Sequence, residues 1–254
     1  MNVVSFINQK GGTGKTTTCM NVGACLASRG YKVLLIDTDP QGSLTTSAGI
    51  STDDRPTLYE VLKGSVDVNG VICVHNDYFV LPTDLRQSGA EMELIKEVGA
   101  EQLMKTNVIR KIRADFDFIL IDCPPTLSLF TVMALAASNG VVIPLQAQFL
   151  PFNGIVQLQN TVRLVKERIN PALEVTGYVF TQYDGRKNLD RQVHDRVVAE
   201  HPGKVFETTI STGVALAEAP AFGQDIFEYD PKSKGARQYD ALTTEFLERI
   251  RSNG

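Results

Sequence analysis

Short, almost wholly apolar runs alternate with longer amphipathic stretches along the chain. The apolar runs are rich in Val, Ile, Leu and Phe and show little alternation of polar and apolar positions. They are residues 3–7, 32–36, 116–121, 140–144 and 176–181. Because both faces of such runs are hydrophobic, they are typical of strands covered on both sides, as in a parallel sheet.

The stretches between these runs follow a helical pattern. The predicted helices are residues 15–29, 126–138, 151–169 and 235–250, with weaker helices at 57–62 and 101–113 and a short strand at 79–81. Gly30 and the Asn170-Pro171 pair are stop signals for two of the helices. The alternation predicts one α/β domain over residues 1–254, with a doubly wound, mostly parallel sheet, helices on both faces, and functional loops at the carboxyl ends of the strands.

Composition narrows the class of protein. The chain has 254 residues, 43% hydrophobic and 21% charged, which is ordinary for a globular protein. With 25 Lys and Arg against 29 Asp and Glu, the net charge of −4 argues against a wholly basic surface but permits a local basic patch. The four cysteines form no C-x-x-C pair, and the three histidines show no metal-ligand spacing. With no transmembrane-length run and no signal peptide, we expect a reduced, cytoplasmic protein without membrane attachment.

A glycine-rich segment between the first predicted strand and the first predicted helix has the features of a phosphate-binding loop. Its residues are Lys10, Gly11, Gly12, Thr13, Gly14, Lys15, Thr16 and Thr17. Glycines let backbone N–H groups turn towards phosphate oxygens, and the helix N-terminus adds positive charge. We expect Lys15 to reach the β- and γ-phosphates and the Thr16 hydroxyl to bind Mg²⁺. Gln9 replaces the first glycine of the pattern G-x-x-x-x-G-K-[ST], and Lys10 is an additional lysine, so the loop is a deviant one.

Acidic residues follow two of the predicted strands. Asp37 and Asp39 end the strand at 32–36, and Asp122 ends the strand at 116–121. Carboxylates at these strand ends can hold Mg²⁺ through its waters and position an attacking water. Their place beside a phosphate loop favours this role over simple helix capping.

Five separated motifs resemble the ParA/Soj/MinD family of deviant Walker-type ATPases over nearly the whole chain. They are KGGTGKTTT at 10–18, DTDPQG at 37–42, DCPP at 122–125, AEAP at 217–220 and YDPKSKGA at 229–236. The last two are most similar to the ParA/Soj branch, the chromosome and plasmid partition ATPases. The resemblance implies a P-loop fold and slow, Mg²⁺-dependent hydrolysis of ATP to ADP and phosphate.

The same resemblance implies roles for individual residues. Lys10 matches the signature lysine that contacts the partner's nucleotide in an ATP-dependent homodimer, and Gly11 lies where a side chain clashes at that interface. Asp39 matches the residue that orients the attacking water, while Asp37 and Asp122 match magnesium-side carboxylates, the latter at the Walker B position.

The resemblance also implies an adenine pocket and a surface for DNA. Ser211 and Gly213 match the loop that contacts adenine, together with residues 181–182. Non-specific DNA contacts are expected, and a ParB-like partner is expected to stimulate hydrolysis on the nucleoid. The candidate DNA contacts are Arg186, Lys187, Arg191, Lys232, Lys234 and Arg237. Thr212 and Ala215 stand where such relatives carry arginines, so one usual contact is missing.

Three alternatives remain at this stage. A ParA-like ATPase can position a protein cargo, such as a chemoreceptor cluster or a microcompartment, and the residues at 212 and 215 keep that reading open. A MinD-like membrane switch needs a basic amphipathic C-terminal helix, whereas the last helix here carries Glu245 and Glu248 against Arg249 and Arg251. An electron-transfer protein like the nitrogenase iron protein needs glycine-flanked cysteines, which the sequence lacks.

Overall fold

A twisted sheet runs through the centre of the molecule in a computed structural model that describes residues 2–147 and 152–252. The strands are β1 (Asn2–Phe6), β2 (Val33–Asp37), β3 (Cys73–His75), β4 (Tyr78–Leu81), β5 (Phe118–Asp122), β6 (Gly140–Gln146) and β7 (Glu174–Thr181). Within the described ranges they form a seven-stranded sheet in the order β3-β4-β2-β5-β1-β6-β7. Only β3 and β4 pair antiparallel, which confirms the mostly parallel, doubly wound α/β fold.

Helices cover both faces of this sheet. They are α1 (Lys15–Ser28), α2 (Ser43–Ser47), α3 (Leu58–Leu62), α4 (Arg86–Leu94), α5 (Arg110–Ile112), α6 (Leu129–Ala137), α7 (Phe152–Arg168), α8 (Asn188–Glu200), α9 (Val214–Glu218), α10 (Ile226–Tyr229) and α11 (Lys234–Ser252). The part of the chain that the structure describes contains no helix that is both long and apolar enough to cross a membrane.

The core divides into two layers because successive side chains of a strand point to opposite faces. Along β2, Leu34 and Ile36 join the layer covered by α3, α6 and α7, whereas Val33 and Leu35 join the layer covered by α1 and α11. Both layers are built from buried aliphatic and aromatic residues, so the strands form continuous apolar runs in the sequence rather than alternating ones. This double coverage is the physical reason why the sequence pattern identified the sheet.

The differences from the predicted elements have local causes. Most predicted strands are shifted or extended by one or two residues, and the helix expected at 151–169 begins at Phe152, since residue 151 lies outside the described residues. The helix expected at 101–113 is a 3₁₀ turn, a π-helix at Met104–Ile109 and then α5. Because β3 has only three residues at a sheet edge and α8 buries little of its surface, neither has a strong apolar pattern.

Arg249 ties the C-terminal helix to the end of the sheet. Its guanidinium donates hydrogen bonds to the carbonyl oxygens of Lys204 at 3.0 Å and Val205 at 2.6 Å, and pairs with Glu245 at 2.9 Å. The same group lies 4.0 Å from the ring centre of Phe206. One planar side chain therefore adds a charged donor to a loop that Tyr178 of β7 also hydrogen-bonds, through its N–H to the Lys204 carbonyl and its carbonyl to the N–H of Phe206, both at 2.8 Å.

We expect Arg249→Ala to lower the free energy of unfolding by about 2–3 kcal/mol, because it leaves partly buried carbonyl oxygens without a charged donor. The free energy of unfolding is measured by equilibrium unfolding in urea, and an unchanged m-value shows that the comparison is valid. Arg251→Ala is the matched control, since this exposed arginine of the same helix makes only a 3.4 Å contact to Tyr31 and should change stability by less than about 0.5 kcal/mol. Equal effects of the two substitutions would contradict the role of Arg249.

Candidate nucleotide and magnesium site

The phosphate loop connects β1 to α1 through two left-handed turns. Gly12 and Gly14 have φ angles of 73° and 74°, a conformation in which a side chain is strained. The second of these glycines is the N-cap of α1, so Lys15 is the first residue of the helix. The sequence folds this way because glycine alone adopts both turns without strain, and the loop then delivers its backbone to a helix N-terminus.

Side chains from the ends of β6 and β7 fix the orientation of this loop. The amides of Gln146 and Gln182 donate to the carbonyl oxygen of Gly12, at 2.6 and 2.9 Å. The hydroxyl of Thr181 donates to the carbonyl oxygen of Thr13 at 2.8 Å. Since the N–H of a trans peptide points away from its carbonyl oxygen, the N–H groups of these two peptides face away from the strands. They are therefore available to bind phosphate oxygens.

Two residues at the start of α1 face the carboxylate at the end of β5. Thr16 donates its hydroxyl proton to Asp122 Oδ2 at 2.6 Å, while Asp122 Oδ1 is buried with no hydrogen-bond partner among the described residues. Lys15 is only 7% exposed. Burial lowers the pKa of Lys15, and the negative charge of Asp122 opposes that shift. A positive charge, a hydroxyl oxygen and an unsatisfied carboxylate oxygen thus converge beside the phosphate loop.

Asp37 and Asp122 lie side by side at the ends of paired strands, in register with each other. Burial raises the pKa of Asp37 to about 7, against the effect of hydrogen bonds from Thr45. Asp37 Oδ2 accepts from both the backbone N–H and the hydroxyl of Thr45 at 2.8 Å, and Oδ1 accepts from the N–H of Asp39 at 3.1 Å. Burial, followed by the charge of Asp37, raises the pKa of Asp122.

This pair of carboxylates fits a divalent cation. Two buried acidic groups on adjacent strands favour a bound positive charge, and oxygen donors are the ligands that Mg²⁺ prefers. Asp122 has an oxygen with no other partner, whereas both oxygens of Asp37 already accept hydrogen bonds. The geometry therefore favours Thr16 and Asp122 next to the cation and Asp37 behind them.

Asp39 is half-buried where the β2 loop passes the phosphate loop. Its Oδ1 accepts a hydrogen bond from the N–H of Gln41 at 3.0 Å, which fixes the carboxylate in a turn. The negative charge of Asp39 also acts on Lys15. Asp39 therefore lies close enough to the phosphate loop for its charge to act on Lys15.

A cleft of about 290 Å³ opens beside the start of α1. The lining residues come from the phosphate loop, the end of β7 and the loop before α9. They are Gly14, Thr17, Thr181, Gln182, Ile210, Ser211, Thr212, Gly213, Leu216, Ala217 and Tyr239. The structure therefore brings Ser211 and Gly213 next to the phosphate loop, as required for contacts with a base. Gln238 fixes this loop, since its Oε1 accepts from the N–H and hydroxyl of Ser211 at 3.1 and 3.0 Å.

Lys10 and Gly11 lie on the outer side of the phosphate loop. The backbone N–H of Lys10 donates to Asn8 Oδ1 at 2.9 Å, and the Lys10 carbonyl accepts from the Thr13 hydroxyl at 3.3 Å. Gly11 is exposed, its φ is not positive, and a Cβ added there meets no atom of the described residues within 4 Å. Nothing within the described chain therefore requires glycine at this position.

Two of the six cationic candidates for DNA contact share a cleft. Arg186 and Lys234 line one cleft of about 620 Å³, which also includes Ser211 and Thr212 of the base-side loop. The side chain of Arg186 is 91% exposed and pairs with Asp184 through two 2.9 Å hydrogen bonds.

The other four candidates are exposed and do not line this cleft. Lys187 precedes α8, and Arg191 on that helix donates a hydrogen bond to Asn188. Lys232 and Arg237 lie at the start of α11, where the Arg237 guanidinium donates to the carbonyl oxygen of Lys232 at 2.6 Å.

Sequence reasoning missed the residues that hold the site from behind. Gln146 donates to the carbonyl oxygen of Gly12, Thr45 donates to Asp37, and Tyr239 lines the base cleft. None of the three belongs to a recognised motif. Of the three, Gln146 could most easily have been found from the sequence. It is a polar residue at the carboxyl end of an otherwise apolar strand, where functional residues of α/β folds lie.

Comparisons with known proteins identify the family of this chain. A family model described as an AAA domain matches residues 1–175. Sporulation initiation inhibitor protein Soj of Bacillus subtilis (strain 168) is 42% identical, over 96% of this chain and 97% of its own length. Chromosome-partitioning ATPase Soj of Treponema pallidum (strain Nichols) is 41% identical, over 96% of each chain.

One similar solved structure contains a bound nucleotide and magnesium. Cobyrinic acid a,c-diamide synthase from Mycobacterium smegmatis, determined with bound ADP and magnesium, aligns with a TM-score of 0.87 and 33% identity, over 100% of this chain and 97% of that one. The protein described here is an ATPase whose cofactors are ATP and Mg²⁺. By sequence and fold, the chain belongs to the Soj/ParA family of chromosome-partitioning ATPases.

Proposed function

We propose that this ATPase is a partitioning switch that dimerises with ATP, binds DNA non-specifically as a dimer, and hydrolyses ATP when a ParB-like partner stimulates it. The observation that carries the proposal is the pairing of an oriented phosphate loop with an additional lysine, Lys10, beside an unfilled space at Gly11. Relatives named as chromosome-partitioning proteins support the cellular role.

Nucleotide binding rests on the helix N-terminus and Lys15. The N–H groups of the loop and the ammonium group of Lys15 neutralise the β- and γ-phosphates. Thr16 and Asp122 hold Mg²⁺, with Asp37 in support, and the unpartnered Asp122 Oδ1 is the feature of this site that fits the ion. When bound, Mg²⁺ neutralises charge that develops on the phosphate oxygens during hydrolysis. Ser211 and Gly213 contact the base.

Asp39 orients the attacking water. Its carboxylate is fixed by the turn to Gln41, so it can accept a proton of a water molecule without moving. The charge of Asp39 also acts on Lys15, the residue that binds the β- and γ-phosphates in this proposal, and this supports the role of Asp39.

The proposed dimer interface includes Lys10 and Gly11 of the phosphate loop. Because the described chain leaves space for a side chain at Gly11, the glycine is explained by the close approach of a second molecule. Two ATP molecules that face each other across such an interface concentrate negative charge, and one Lys10 from each protomer offsets it. The dimer therefore depends on ATP.

DNA binding uses the cleft of Arg186 and Lys234, together with the neighbouring cations Lys187, Arg191 and Arg237. The loop at Ser211–Thr212 lines both this cleft and the base cleft, so the nucleotide can influence the position of the cationic groups. Contacts to phosphate do not depend on one particular arginine, which allows these cations to replace those missing at Thr212 and Ala215.

Substitution of Lys15 by alanine tests nucleotide binding. We expect Lys15→Ala to bind ATP at least about 10-fold more weakly, because a charge-assisted hydrogen bond to phosphate contributes about 1.5–3 kcal/mol. Displacement of a fluorescent ATP analogue measures this. The control is Lys63→Ala, which removes an exposed lysine that follows α3 and pairs with Glu93. Unchanged ATP affinity in a folded Lys15→Ala protein would refute the assignment of the loop.

Substitution of Asp39 by alanine separates hydrolysis from binding. Loss of the water-orienting carboxylate should lower the single-turnover rate by about 100-fold or more while ATP affinity is retained. The trapped ATP form should then accumulate as a dimer, as measured by light scattering during gel filtration. Asp53→Ala, in an exposed turn with Ser51, is the control. A wild-type hydrolysis rate would exclude this role for Asp39.

The proposed DNA binding is tested with arbitrary duplex DNA, in the presence of ATP or ADP and across a salt series. Binding should require ATP, and log K should fall with log salt by about 0.9 for each phosphate contact. The double substitution Arg186→Ala, Lys234→Ala should make that slope shallower by about two contacts, whereas Arg163→Ala, which removes an arginine paired with Glu167 on α7, should not. Absence of ATP-dependent DNA binding at low salt would contradict the proposed DNA binding and favour an ATPase that positions a protein cargo.

A further inference from the structure

Three potential metal ligands converge on the side of the molecule where the β3–β4 hairpin meets α10. His75 ends β3, Asp225 precedes α10, and Glu228 lies within that helix. One ligand atom from each residue lies within 4.8 Å of the other two. His75 is remote in sequence from Asp225 and Glu228, which lie three residues apart, and the nucleotide site uses none of the three.

Two polar atoms at this place are buried without a hydrogen bond among the described residues. One is His75 Nε2, which lies 3.5 Å from Glu228 Oε2 but outside hydrogen-bond geometry. The other is the hydroxyl of Tyr78, whose side chain is 1% exposed. The Tyr78 and His75 rings pack with centroids 4.8 Å apart, and the charges of Asp225 and Glu228 act on the tyrosine hydroxyl. A buried phenol thus adjoins the cluster and needs a partner there.

Local hydrogen bonds preposition both carboxylates. Asp225 Oδ1 accepts from the N–H groups of Phe227 and Glu228 at 2.8 and 3.1 Å, and Glu228 Oε2 accepts from the N–H of Asp225 at 3.2 Å. The reciprocal cap holds Asp225 Oδ1 and Glu228 Oε2 in place, and a carboxylate oxygen that accepts one N–H keeps a second lone pair for a cation. The carboxylates are therefore held in place before any ion arrives.

The distances and donor types select the ion. With metal–ligand bonds of about 2.0–2.1 Å, the edge of a tetrahedral zinc site is about 3.4 Å, close to the 3.5 Å between His75 Nε2 and Glu228 Oε2. One imidazole nitrogen and two carboxylate oxygens match the ligand set of Zn²⁺, whereas Mg²⁺ prefers oxygen ligands alone. A fourth position is then left for water, which the Tyr78 hydroxyl can contact.

We propose that His75, Asp225 and Glu228 bind one Zn²⁺ ion at a site separate from the nucleotide site. The ion joins the β3–β4 edge of the sheet to α10. That helix is itself tied to α1, because Asn21 accepts a hydrogen bond from the N–H of Ile226 at 2.8 Å and donates to the carbonyl oxygen of Thr17 at 2.7 Å. Zinc therefore stabilises the packing of a segment that contacts the helix following the phosphate loop.

The experiment is a Zn²⁺ titration of the full chain, previously freed of metal with a chelator, without nucleotide or Mg²⁺, in competition with a chromophoric chelator. We expect one Zn²⁺ per chain. His75→Gln should weaken its binding by at least 10- to 100-fold, since loss of even an outer-shell partner of a metal site has an effect of that size. Zn²⁺ should also raise the melting temperature of the wild-type protein and not that of His75→Gln.

Matched variants make the result decisive. His194→Gln removes a histidine of α8 that is distant from α10 in the chain, and it should bind Zn²⁺ as the wild type does. If His75→Gln does not fold, Glu228→Gln tests the same ligand set. Substitution with Co²⁺ should give a spectrum without thiolate charge-transfer bands, which excludes the four buried cysteines as the ligands. Equal Zn²⁺ affinity of the wild type and both ligand variants, or no binding by the wild type, would overturn the proposal.

Discussion

The orientation of two peptide groups in the phosphate loop is the constraint on which the rest of this site depends. Gln146 and Gln182 hold the carbonyl of Gly12, and Thr181 holds that of Thr13. With these carbonyls fixed against the strand ends, the N–H groups have one direction left, towards the phosphates. The loop is therefore oriented before nucleotide arrives, and binding does not require the backbone to be ordered at that moment.

The two buried carboxylates of the site are electrostatically unfavourable for the fold. Asp37 and Asp122 stand in register on neighbouring strands with no exposed surface, which is unfavourable for two negative charges. Thr45 and Thr16 satisfy part of their oxygens, and Lys15 supplies a nearby positive charge. One oxygen of Asp122 has no partner among the described residues, which fits the proposed Mg²⁺ site.

One loop connects the chemistry with the surface. Ser211 and Thr212 line the base cleft on one side and the cleft of Arg186 and Lys234 on the other. Under the proposed function, a change in nucleotide reaches the cationic cleft through these two residues and through Gln238, which holds Ser211. Such short connections suit a protein whose bound nucleotide must alter what its surface binds.

Sequence by itself determined the α/β class, the phosphate loop, and the acidic residues at the strand ends, because these depend on periodicity and on residues close together in the chain. Gly12, Lys15 and Asp37 could be assigned from their immediate neighbours. Tertiary structure alone decided which side chains hold the loop, that Arg186 and Lys234 share a cleft, and that His75 meets Asp225 and Glu228. These contacts join residues far apart in the chain, and no local pattern encodes them, since they arise only when separate strands and helices pack.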